Sequence, residues 1–143
     1  MSEIDFNIKL PRGWQDQTSY YFRGPEIDGE VHEMHLNVDR FLQDSDIRRF
    51  AEEKTDPIKS MQGLEVLKDE EVTLEGGNPV YEFVYKWIPA DGIVEINKYV
   101  FVISDDMGFM FSARFSRKSY KMLGGQMKEI VERMLPGTYE IQG

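Results

Sequence analysis

The chain contains no cysteine, which excludes disulfide bonds, thiol chemistry and most zinc sites. It has no apolar run near the roughly 20 residues that a membrane-spanning helix needs. The opening residues, Met-Ser-Glu-Ile-Asp, lack the basic start and the apolar stretch of a signal peptide. We therefore expect a cytoplasmic protein that does not insert into a membrane.

Positive charge is also scarce. The 17 Lys and Arg residues face 26 Asp and Glu residues, which gives a net charge of −9. Such an acidic surface repels nucleic-acid backbones and anionic membranes, so neither is an expected partner. With 143 residues, of which 41% are hydrophobic and 13% aromatic, the chain is large enough for a single domain over 1–143 with an ordinary core.

Motifs that carry chemistry are absent as well. No serine lies in a Gly-x-Ser-x-Gly elbow, and Gly76-Gly77-Asn78 lacks the Lys-Ser/Thr that follows in a phosphate loop. The two histidines, His32 and His35, lie in an alternating strand and point to opposite sides of it. We therefore expect a protein that is not an enzyme and has no catalytic residues, no metal site and no cofactor.

What the sequence does contain is strand and helix patterning. Alternation of apolar and polar residues predicts strands at 6–10, 17–23, 32–38, 64–74, 80–88, 93–103 and 109–116. Helical spacing after Asp44-Ser45-Asp46 predicts a helix that either kinks at Pro57 or gives way there to a second short helix. A last helix is predicted from Ser119 to Leu135.

The strands between 80 and 116 carry apolar residues on both faces. A four-residue loop at 89–92 pairs Lys86 with Glu95, and a further loop at 104–108 follows. In this register one face collects Tyr99, Phe101, Phe109, Phe111, Ala113 and Phe115. Either one helix covers each face, or both helices cover one face and the other is a groove for an apolar partner.

Short motifs carry a resemblance to a known family. The run Leu-Pro-Arg-Gly-Trp-Gln-Asp-Gln-Thr at 10–18 is similar to the opening of the DcrB-like domain family, which has a PsbP-like fold. Gly-Asn-Pro-Val-Tyr at 77–81, Tyr-Lys-Trp at 85–87, Asp-Gly at 91–92 and Tyr-Val-Phe-Val at 99–102 resemble the central hairpin of that family. The resemblance extends over nearly the whole chain.

Members of this length without a signal peptide resemble Eag-type chaperones of the bacterial type VI secretion system. The resemblance implies a twisted antiparallel sheet of six to seven strands, an α+β fold in which two main helices lie mainly on one side. It also implies a partner, an effector whose N-terminal apolar helices are held on the open face before export, and a possible homodimer.

The leading function hypothesis is therefore a chaperone or adaptor that shields apolar helices without catalysis. Its predicted partner-binding residues are Tyr21, His35, Asn37, Tyr99, Phe101, Phe111 and Phe115. One alternative is a small-molecule-binding domain whose pocket is lined by Tyr21, His35 and Tyr99. Another is a structural interaction domain, which would be favoured if both faces of the sheet were covered.

Overall fold

The computed structural model describes residues 10–14, 17–40, 42, 45–74, 76–88 and 92–134. Within these residues the chain forms six strands and two helices. In chain order they are β1 Gln17–Ile27, β2 Glu30–Asp39, α1 Ile47–Lys59, β3 Leu64–Thr73, β4 Pro79–Trp87, β5 Glu95–Ser104, β6 Met107–Phe115 and α2 Arg117–Met134. The strands form one antiparallel sheet in the order β1-β2-β6-β5-β4-β3. The α+β fold with two main helices is confirmed. The strand predicted at 6–10 falls outside the described residues except for Leu10, which is not in a strand.

The two helices cover opposite faces of the sheet. Phe50 and Ala51 of α1 are buried in a cluster with the β4 aromatic residue Phe83. On the other face, three residues of α2 pack in a second buried cluster with residues of β2, β4, β5 and β6: Leu123, Met127 and Val131 with Met34, Leu36, Val38, Val80, Val100, Val102, Phe111 and Phe115. Of the two predicted arrangements, the structure therefore has the one with a helix on each face of the sheet. The expectation that both helices lie mainly on one side is wrong.

The pairing of β4 with β5 differs by one residue from the predicted register. Trp87 lies opposite Glu95, where the sequence pattern placed Lys86. This shift brings Phe101 and Tyr99 opposite Tyr81 and Phe83, so that aromatic side chains of both strands meet beneath α1. Lys86 forms an ion pair with Glu65 of β3 instead, at 3.5 Å. Burial of a continuous aromatic layer therefore outweighs one exposed cross-strand charge pair.

The hairpin between β5 and β6 is tighter than predicted. Ser104 pairs with Met107, so the turn consists of Asp105 and Asp106 alone, both with positive φ (53° and 61°). Such a two-residue turn matches the twist of the flanking strands. Gly108, predicted to lie in a loop, belongs to β6. A Cβ at Gly108 would lie 2.7 Å from the Phe50 Cζ, so the missing side chain lets α1 approach the sheet.

Helix α1 is continuous through Pro57, so of the two predicted alternatives the second short helix is wrong. The helix begins after Asp46, whose side chain accepts a hydrogen bond of 2.9 Å from the Arg48 N–H. Pro57 lies in the last turn, and its carbonyl accepts a hydrogen bond of 2.8 Å from the Ser60 hydroxyl. Pro57 has no N–H to donate to the carbonyl four residues earlier, so the helix lacks one backbone hydrogen bond there and continues for only two more residues.

Candidate functional site

One accessible surface is the part of the α1-side face that α1 leaves uncovered. Helix α1 packs mainly on β3, β4 and β5, and it meets β6 where Phe50 contacts Gly108. Beyond that contact, the same face of β1, β2, β6 and part of β5 is accessible. We call this surface the open strip and define it by Ser19, Tyr21, His35, Asn37, Asn97, Tyr99, Ser112 and Arg114.

Strand pairing sets the predicted site residues in rows across the open strip. Tyr21 lies opposite His35, His35 opposite Ser112, and Ser112 opposite Tyr99, which makes one row over four strands. The next row begins with Ser19 opposite Asn37. The structure therefore brings four predicted site residues, from β1, β2 and β5, onto one surface: Tyr21, His35, Asn37 and Tyr99.

Contacts between neighbours hold these side chains in place. The rings of Tyr21 and His35 meet edge to face, with centroids 5.1 Å apart. The Ser19 hydroxyl donates a hydrogen bond of 2.7 Å to the Asn37 Oδ1. Tyr21 is nevertheless 53% exposed, which leaves its ring available to a partner.

Two shallow cavities lie along the open strip. One of about 280 Å³ is bordered by Glu33, His35, Asn97, Tyr99, Ser112 and Arg114. A second of about 270 Å³ lies where the strip meets α1, and Phe50, Lys54 and Met110 contribute to it. Most of the lining of the first cavity is polar, so a bound molecule would meet hydroxyl, amide and charged groups together with the Tyr99 ring.

Tyr99 anchors the inner end of the strip. Its ring stacks on Phe101 and on Tyr85, with centroids 6.3 Å apart in each case. The hydroxyls of Tyr85 and Tyr99 are hydrogen-bonded, and burial raises the pKa of both phenols above the ordinary value of 10. Both tyrosines therefore stay neutral at physiological pH and act as hydrogen-bonding groups on an aromatic surface.

Charged groups lie along one end of the strip. The hydrogen bond between Tyr21 and Glu33, together with desolvation and the nearby carboxylate charge, raises the pKa of the Tyr21 phenol. Arg114 forms an ion pair of 3.6 Å with Glu95, and its side chain remains 68% exposed. An exposed pair of this kind contributes little to stability, so Arg114 can exchange this partner for a ligand.

Three of the seven predicted site residues do not line the open strip. Phe101 is fully buried beneath α1, where its ring meets Phe50 edge to face at 5.5 Å. Phe111 and Phe115 are buried on the opposite face against α2, so placing them on the same surface as Tyr99 is wrong. The cause is the two-residue turn after β5, which shifts β6 by one position and turns its phenylalanines to the other side.

The same shift brings residues to the strip that the sequence analysis did not identify. Ser112 and Arg114 of β6 replace the expected phenylalanines, and Asn97, two positions from Tyr99 on β5, lies on the same face. The adjacent Asp105 and Asp106 were the available signal, because Asp tolerates positive φ in two-residue hairpin turns. The open strip is consequently more polar than predicted.

The two histidines behave as their strand positions indicate. His35 faces the open strip, and His32 is buried on the α2 side of the sheet. Within the ranges that the structure describes, no three His, Asp or Glu side chains come close enough together to hold a metal ion. In the same ranges, neither helix is both long and apolar enough to span a membrane.

Comparison with known proteins supports the fold. No protein-family model matches the chain, and no curated protein matches it. Among solved structures it is similar to PA94 from Pseudomonas aeruginosa, a protein of unknown function, with a TM-score of 0.68 and 16% identity over 89% of this chain and 88% of that chain. A weaker similarity, with a TM-score of 0.46 and 13% identity over 82% of each chain, is to LpqN of Mycobacterium tuberculosis, which is involved in cell envelope biogenesis. At such identities the PA94 match shows a shared fold.

Proposed function

We propose that this protein is a non-catalytic chaperone or adaptor that shields an apolar, transmembrane-type helix of a partner on the open strip. The main observation that supports this proposal is that the open strip has the dimensions of one helix. From β1 to β5 it covers three strand spacings, or about 14 Å, and a helix with its side chains is about 10–12 Å wide. The ten residues of β2 extend about 33 Å, and a 20-residue helix is about 30 Å long.

The lining of the strip favours a particular kind of helix. Tyr21 and Tyr99 offer apolar ring surface with a hydroxyl at the tip. Ser19, Asn37 and Ser112 can hydrogen-bond the Ser, Thr, Asn or Gln side chains that membrane helices carry at their interfaces. The proposed client is therefore an apolar helix with a few polar residues on one side.

The resemblance to Eag-type chaperones supports a client class and a setting for this role. In the proposed setting the client is a secreted effector with N-terminal apolar helices, and the protein holds it in the bacterial cytoplasm before export by a type VI system. The protein would act there as a monomer or as a homodimer.

A pair of tyrosines on β1 provides a matched test. Tyr21 and Tyr20 are neighbours with similar exposure, 53% and 47%, but they point to opposite faces of the sheet. The probe is a fluorescent 20-residue Leu/Ala peptide with one Ser and one Gln, flanked by lysines. We expect the wild-type protein to keep this peptide in the supernatant without detergent, as measured by sedimentation and fluorescence anisotropy.

Tyr21→Asp should weaken binding of this peptide at least tenfold, because it places a charge against the apolar helix. Tyr20→Asp should leave binding unchanged, and both variants should retain the wild-type circular dichroism spectrum. Equal effects of the two substitutions, or no binding by the wild-type protein, would overturn the proposal.

The polar cavity of about 280 Å³ favours a second candidate function, the binding of a small polar molecule. Its groups converge from β2, β5 and β6, as they do in ligand sites. The test is a thermal-shift screen of polar metabolites against the wild-type protein and His35→Ala. A shift that disappears in His35→Ala supports this function, and the absence of any shift across a broad screen counts against it.

A further inference from the structure

A second concave surface lies on the other face of the sheet, between β1 and α2. We call it the His32 groove and define it by Phe22, His32, Met34, Phe115, Leu123 and Met127. Its volume is about 120 Å³, and its lining is mainly apolar. A closed apolar cavity of about 150 Å³ is known to hold a benzene molecule, so this smaller groove, which is open to solvent on one side, encloses most of one aromatic ring.

His32 is the polar group buried in this apolar surface. Only 5% of the residue is exposed, and its ring stacks on Phe115 with centroids 6.0 Å apart. The Nδ1 atom lies 3.2 Å from the Pro25 carbonyl oxygen. The Nε2 atom is buried and has no hydrogen-bond partner among the residues that the structure describes.

The Pro25 contact assigns the protons of the neutral imidazole. A carbonyl oxygen can only accept a hydrogen bond, so Nδ1 must carry the hydrogen. In the neutral ring Nε2 is then an acceptor with a free lone pair. A buried acceptor without a donor is unfavourable, because it has lost its hydrogen bond to water and gained none in return.

The exposed edge of the groove shows that it is accessible. Phe22 is 39% exposed and Ile130 of α2 is 37% exposed, and both border the same cavity. A molecule entering there would bury these two side chains, and its polar end would reach the buried Nε2 atom once the imidazole turned towards the groove.

We propose that the His32 groove binds a free small aromatic molecule of the phenol class, whose hydroxyl donates a hydrogen bond to the His32 Nε2. The ring would lie among Met34, Phe115 and Met127, and sulfur–aromatic contacts favour such packing. The site is on the opposite face from the open strip and stands whether or not the chaperone proposal holds.

The test compares phenol with toluene, which has nearly the same shape but no hydrogen-bond donor. We expect phenol to bind the wild-type protein at least tenfold more tightly than it binds His32→Phe, as measured by ligand-observed NMR titration. Toluene should bind both proteins within twofold. His35→Phe, which changes the other histidine on the opposite face, should bind phenol like the wild-type protein.

A second measurement uses only the wild-type protein, so the proposal can be tested even if His32→Phe misfolds. The chain has only two histidines, so a long-range ¹H–¹⁵N spectrum of the wild-type protein shows two imidazoles. Phenol should move the His32 Nε2 resonance and leave the His35 resonances in place. No movement of Nε2 at saturating phenol, or equal losses of phenol and toluene affinity in His32→Phe, would overturn the proposal. Phenol binding that is lost in Tyr21→Asp would overturn it as well, because the ligand would then occupy the open strip.

Discussion

Gly108 shows how one missing side chain positions a helix. Its backbone lies directly under Phe50, and a Cβ there would meet the Phe50 ring at 2.7–3.1 Å. We predict that Gly108→Ala destabilises the protein by about 1–3 kcal/mol, because α1 must move or Phe50 must leave its rotamer. The free energy of unfolding in urea measures this change.

Two further variants test that explanation. Gly125→Ala lies in α2 with nothing within 4 Å of the added Cβ, and it should stabilise the protein by about 0.5–1 kcal/mol because alanine favours a helix. Phe50→Leu should reduce the effect of Gly108→Ala in a double-mutant cycle. Independent, additive effects of the Gly108 and Phe50 substitutions would rule out the steric account.

At the scale of elements, Tyr81 joins β4 to β3 and to α1. Its hydroxyl donates a hydrogen bond of 2.6 Å to Asp69, and Lys59 of α1 forms an ion pair of 2.9 Å with the same carboxylate. Burial and the contact with Asp69 raise the pKa of Tyr81 to about 12 from 10. The protonated phenol therefore stabilises the fold below pH 10, and this contribution is lost as the pH rises through about 12.

We predict that Tyr81→Phe lowers stability by about 1.5–3 kcal/mol at pH 8, the value of a hydrogen bond to a charged group. The difference from the wild-type protein should shrink above pH 10, because only the wild-type protein has this phenol to ionise. Urea unfolding at pH 8, 10 and 11 at constant ionic strength checks both points. A difference that stays constant over this range would contradict the prediction.

The elements themselves were predictable, and their pairing was not. Apolar and polar residues alternate along β2, and apolar residues recur with helical spacing along α2, because each element is buried on one side. Both patterns can be recognised in the sequence. Register depends on turn geometry, and reading Asp105, Asp106 and Gly108 as one long loop moved β6 by a residue. Tyr21 and Tyr99 therefore share a face as predicted, and Phe111 and Phe115 lie on the opposite face.

For the whole molecule, the two helices make β5 the most protected strand. Both α1 and α2 contact β5, and residues on each of its faces are buried, such as Phe101 and Val100. Strand β1 lies at the sheet edge with Tyr20, Tyr21 and Phe22 exposed. Stability against local opening should therefore fall from the centre of the sheet towards β1.

We predict that amide hydrogens of β4 and β5 exchange slowest and those of β1 fastest among the six strands. Hydrogen exchange followed by mass spectrometry measures this order from peptides covering each strand. Equally slow exchange in β1 would contradict it and would indicate that the edge is paired with a further segment or with another chain.

The alternation of side chains along β2 places the two candidate surfaces back to back. Glu33 and His35 face the open strip, and His32 and Met34 face the groove on the other side. A phenol in the groove and a helix on the open strip would therefore contact the same strand from opposite sides. Because linkage between two sites is reciprocal, any effect of one on the affinity of the other would be returned by the same factor.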